Sequence, residues 1–166
     1  MSIEFLLSKI GVSQNMLQDA TLLVVIVFVS FIFGIFIGRY KLITVLINIY
    51  VSLAILAVVP EGYLKNYNYD LIFFFVSLII LTLISKRLFE IYISGSGSGF
   101  LWRVFVMSFL EVVFLLSIVV SMIPKSEAMK YVSQNLYFYL ASPNAKFIWM
   151  IIPLAFIFLI HKRINR

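Results

Sequence analysis

The stretch LWRVFVMSFLEVVFLLSIVVSMI, residues 101–123, decides the fold. It is long enough to cross a bilayer, which takes about 20 largely apolar residues, and it stops at Pro124. Near its middle stands one carboxylate, Glu111. An ionised side chain at the centre of a membrane helix costs about 2.5–3.5 kcal/mol on insertion scales, so Glu111 has to be protonated, paired inside a bundle, or wetted by a cavity.

Outward from this stretch the composition agrees. Of the 166 residues 63% are hydrophobic and 12% charged, with a mean hydropathy of +1.11, whereas about 25% charged is usual in soluble domains. One integral membrane domain spanning 1–166 is expected, an all-α polytopic bundle with no room for a separate soluble enzyme module. The chain has no cysteine, which excludes disulfides, thiolate metal sites and a cysteine nucleophile.

Four further apolar runs follow: 20–38, 42–59, 71–85 and 147–160. The first two are joined by a very short turn at 39–41, which predicts an antiparallel helical hairpin. The third reaches residue 93 if Lys86 and Arg87 extend their charged ends to the interface along apolar stems. The last, spanning about 145–161, contains Pro153, which cannot donate to the Trp149 carbonyl, so it is either a kinked span or a re-entrant segment. Five spans give a consistent charge distribution. Arg39, Lys41, Lys86, Arg87, Arg103, Lys162, Arg163 and Arg166 then share one side, while Lys9, Lys65, Lys125, Lys130 and Lys146 on the other are balanced by Glu4, Asp19, Glu61, Asp70 and Glu127. The positive-inside rule places the N-terminus outside and the C-terminus in the cytoplasm. Asp19 and Asp70 precede inward-running spans, as helix dipoles favour.

Residues 1–19 carry no basic leader or small-residue cleavage site and are not expected to be a cleaved signal. Ile3, Leu6, Leu7 and Ile10 share a helical face, and the segment reads as an amphipathic helix on the outer surface or as a frayed polar tail. The repeat at 94–99, Ser-Gly-Ser-Gly-Ser-Gly, has neither dinucleotide-fingerprint nor P-loop spacing and reads as a flexible linker. Between 124 and 144 lies an outer interfacial segment with Tyr131, Tyr137, Phe138 and Tyr139, in which Ser126 can cap a helix before a turn at Ser142 and Pro143. His161 with Lys162 and Arg163 is a basic membrane edge attracted to anionic lipid.

Two side-chain groupings are candidates for function. Ser30, Gly34 and Gly38 form a stripe of small residues that lets another backbone approach, from this chain or from a second copy. Thr44, Asn48 and Ser52 share one face of the second run. Asn48 is the expected partner of Glu111, and Ser108, one turn from Glu111, completes the polar cluster. Arg103, two turns away, is a weaker partner. The cluster reads as buried glue between helices, as a protonatable site in an ion or solute path, or as a surface facing a partner subunit.

No metalloprotease, serine-hydrolase or paired-carboxylate pattern occurs, and there is one histidine. No catalysis, cofactor or metal is therefore expected. The +6 charge lies along membrane edges and not in a soluble patch, which argues against nucleic-acid binding.

The order of the first four runs resembles the colicin V production protein family of bacterial membrane proteins. Gly38 and Arg39 close the first run, a brief turn enters 42–59, and the Gly/Ser loop at 94–99 precedes Arg103 and the fourth run. The resemblance covers about residues 20–123. Relatives tend to have glycines in the fourth span, where 104–123 has none, and lack a fifth. It implies a bacterial inner-membrane protein linked to toxin export or envelope maintenance, with no catalytic residues to transfer. The expected role is a non-catalytic accessory or scaffold in the bilayer, beside other copies or a second envelope protein. The rival is a small transporter or channel component.

Overall fold

The computed structural model describes residues 14–38, 41–60, 63, 66–85 and 98–164, with side chains at 16–38, 41–60, 63, 66–85 and 101–159. The expected face at 3–10, Arg39, the 86–93 extension and the loop at 94–97 lie outside the described residues, as do the side chains of 161–163.

All described elements are helices: α1 (Gln14–Ile37), α2 (Leu42–Val58), α3 (Tyr67–Ser85), α4 (Ser98–Met122), α5 (Lys125–Ala128), α6 (Gln134–Ala141) and α7 (Pro143–Ile164). Helices satisfy their backbone groups internally, which an apolar solvent demands. Three stretches, Met16–Ile37, Tyr67–Ser85 and Leu101–Met122, are long and apolar enough to cross a membrane. The pair Gln134–Ala141 and Pro143–Leu159, bent by 56°, adds a fourth if it is one span. At 17 residues Leu42–Val58 is shorter, about 26 Å at about 1.5 Å per residue, against a hydrocarbon core of about 30 Å.

The hub is α4. It packs against α1, α2, α3, α6 and α7, while α2 and α3 pack on each other. The expected α1–α2 hairpin is thereby corrected: the two are consecutive, but α1 lies chiefly against α4. The reason is Gly34. A Cβ built there would sit 2.7 Å from the Ser108 Oγ, so the missing side chain is what allows α1 to approach α4. Gly38 does something else. Its φ is +67°, and a Cβ there would meet nothing within 4 Å. It ends α1 in the left-handed conformation that glycine tolerates, and is not the third member of a packing stripe.

Leu42, Val45, Leu46 and Ile49 of α2, Phe74 of α3, and Met107, Phe114 and Ile118 of α4 make the main core. A second cluster, Val120, Ala128 and Val132, closes the far end of α4 beneath α5 and α6. Serines cap α6 and α7. The Ser133 Oγ accepts from the Leu136 N–H at 3.1 Å and the Ser142 Oγ from the Ala145 N–H at 3.2 Å. Ser126 does not cap, since α5 begins directly after Pro124 and Ser126 falls inside it. The recorded bend lies at Ser142 and Pro143, and α7 continues through Pro153.

Candidate functional site

Glu111 occupies the middle of the hub helix and is fully buried. Residues three and four positions apart share a helix face, so Met107 and Phe114, both core residues, flank it. Neither carboxylate oxygen has a hydrogen-bond partner. The expected cluster around it does not assemble as a unit. Asn48 is buried but turns to α3: its Nδ2 donates to the Thr82 Oγ1 at 3.3 Å, and the Ser85 Oγ donates to its Oδ1 at 3.0 Å. Its amide can donate and accept at once, and the paired hydroxyls of α3 satisfy both ends. Ser108 donates to the Val104 carbonyl in its own helix at 2.9 Å and meets Gly34. The Thr44 and Ser52 hydroxyls are buried without partners. Arg103 is half-buried, and the recorded ion pair among the described residues is Glu127–Lys130 at 2.8 Å.

A polar residue near Glu111's turn of α4 that sequence reasoning missed is Tyr50 of α2, which packs on Phe114. Its hydroxyl donates to the Met150 carbonyl of α7. Its ring lies 5.0 Å from that of Phe114, centroid to centroid. A phenol needs a partner when buried, so a tyrosine in the middle of an apolar helix was a readable signal. Thr82 and Ser85 were readable too, as a hydroxyl pair one turn apart near the end of the third run. The Ser117 Oγ was not singled out either, and it donates to the Leu140 carbonyl at 2.5 Å, holding α6 on α4. The Trp149 Nε1 donates to the Tyr139 carbonyl at 2.9 Å, tying α7 to α6 across the bend.

Among the described residues, Glu111 lines neither of two cavities that flank α4. One, of 410 Å³, is an apolar groove between α1 and α4 above Ser30 and Gly34. The other, of 330 Å³, lies between Lys125, Gln134, Asn135 and Tyr137, where α5 and α6 cover the end of α4. Among the described residues no three His, Cys, Asp or Glu side chains converge as metal ligands.

Comparison with known proteins finds no matching family model, no similar curated protein and no similar solved structure. Function must be argued from the geometry.

Proposed function

We propose that this chain is a non-catalytic accessory or scaffold subunit of a bacterial inner membrane, crossing it five times with the N-terminus outside and the C-terminus in the cytoplasm. The observation that carries this is α1. Of its most apolar 18-residue window only 6% is buried, and Ser30 is its buried residue at the α4 seam. One narrow seam fixes α1 to the bundle, and the rest of its apolar circumference is open to lipid or to a partner helix. Leu42–Val58 serves as the second crossing. Its 17 residues match the lower end of the spanning range, about 17–25 residues. The role resembles that expected from the colicin V production protein pattern, with a homo-oligomer or a second envelope protein completing the assembly.

A second reading has its own support. Both Glu111 oxygens lack a partner, and an unpartnered buried acid in a membrane helix is a group kept for its proton. In that reading the chain is a transporter or channel component, and a pore requires several copies, since one bundle offers little polar lining.

The deciding experiment is the mass and composition of the complex extracted gently from native membranes through a cytoplasmic C-terminal tag. A stable heteromer supports the accessory role. A homo-oligomer alone supports the pore, and liposome flux with Glu111→Gln then tests it. A lone monomer overturns both.

A further inference from the structure

Helices α4 and α7 each hold a buried group that lacks its usual partner. The first is the Glu111 carboxyl on α4. The second is the Trp149 carbonyl on α7, because Pro153, fully buried four residues later, has no N–H to give it. The register follows from Tyr50, whose ring packs on Phe114 of α4 while its hydroxyl reaches the Met150 carbonyl of α7. On antiparallel helices that pairing of 114 with 150 brings 111 level with 153. The interrupted turn of α7 therefore lies at the level of the acid.

We propose that Glu111 and the Trp149 carbonyl form a proton-held latch between α4 and α7. An ionised carboxylate and a carbonyl are both acceptors and cannot bond. With a proton on Glu111, its O–H donates to the carbonyl that Pro153 leaves open, and both orphans are satisfied. When the proton leaves for water, a carboxylate faces a carbonyl, and α7 swings from α4 about the unsupported turn at Pro153. Tyr50 of α2 is titratable, and its ring packs on Phe114, one turn from Glu111. The other described charges on helices packed against α4, namely Asp19, Asp70 and Lys146, sit within the first two turns of α1, α3 and α7. Arg103 is two turns away along α4, and α6 carries no charged residue.

The latch rests on the protonatable reading of Glu111, and one experiment separates their failures. Infrared difference spectra of the full chain in lipid vesicles, recorded across pH, report the carboxylic-acid C=O stretch. The expected result is an acid band at neutral pH that is absent in Glu111→Gln. The band moves to higher wavenumber in Pro153→Ala, where the restored N–H competes for the Trp149 carbonyl. In parallel, Glu111→Leu lowers Tm in the native background and leaves it unchanged in Pro153→Ala. Absence of the acid band at neutral pH overturns both the latch and the protonatable reading. A band that Pro153→Ala leaves in place overturns the latch alone. If a Glu111 variant does not fold, the Pro153→Ala spectrum still decides.

Discussion

Replacing Gly34 with alanine puts a methyl group 2.7 Å from the Ser108 Oγ, 3.4 Å from its Cβ and 3.8 Å from Val104 Cγ1. Overpacking of this kind costs about 1–3 kcal/mol if nothing moves. Alternatively Ser108 rotates and gives up its 2.9 Å bond to the Val104 carbonyl, a loss of about 0.5–1.5 kcal/mol. Against either stands the helix propensity gained in going from glycine to alanine, about 0.8–1.0 kcal/mol. If nothing moves, the net expectation is a destabilisation of about 0–2 kcal/mol, and if Ser108 rotates the net is about 0 kcal/mol. Ser108→Ala removes the Oγ, and the nearest atom to the new methyl is then the Cβ at 3.4 Å. In that background Gly34→Ala should stabilise by about 1 kcal/mol, a coupling of about 1–3 kcal/mol between the two sites. Equilibrium unfolding of the four variants in mixed micelles measures it, and because the seam is intramolecular the values should not vary with protein concentration. Gly34→Leu, with three further carbons, should abolish the seam. If Gly34→Ala shifts stability equally with and without Ser108, within about 0.5 kcal/mol, the close approach of α1 to α4 is refuted.

Asn48→Leu should cost about 1–2 kcal/mol by stranding the Thr82 and Ser85 hydroxyls, and it should reduce cross-linking between cysteines placed on α2 and α3. Ser117→Ala, which frees the Leu140 carbonyl, should cost about 0.6 kcal/mol and speed amide exchange in 134–141 relative to α4; unchanged exchange there would count against it. Single cysteines added to this cysteine-free chain test the topology, with Ser126→Cys labelled by impermeant reagents from outside and Arg163→Cys only from the cytoplasm. Glu127 beside Lys130 holds the ammonium above its usual range by hydrogen bond and charge. Any stabilisation from the pair is therefore present through neutral pH and lost only as pH rises past the ordinary lysine range. Since the pair is exposed, salt should screen it until Lys130→Gln matches the native chain in thermal unfolding.

The helical class and the residues nearest the hub were legible because an apolar run of spanning length and a mid-run acid are statements about one segment at a time. The partners were not. A face shared by Thr44, Asn48 and Ser52 follows from helical periodicity alone, but which neighbour it meets depends on how five runs arrange themselves around α4. Asn48 met the hydroxyls of α3 and left Glu111 without a hydrogen-bond partner. Gly34 was readable as a close-approach residue, whereas Gly38 was readable both as the close of the first run and as a third member of the stripe, and only its φ separates the two roles. The caps show the same limit. Ser126 falls inside α5, which starts at Lys125, whereas Ser133 and Ser142 stand just before α6 and α7 and cap them.

The position of the hub within the chain has a consequence for biogenesis. The helix that every other long helix needs is the fourth to be made. After α1 has left the ribosome, the 60 residues between Ile37 and Ser98 must follow before its partner begins to emerge. At a synthesis rate of about 5–20 residues per second that takes about 3–12 s. During that interval the Gly34 face lies bare in the translocation machinery or the lipid, open to any insertase or chaperone that shields membrane segments awaiting a mate.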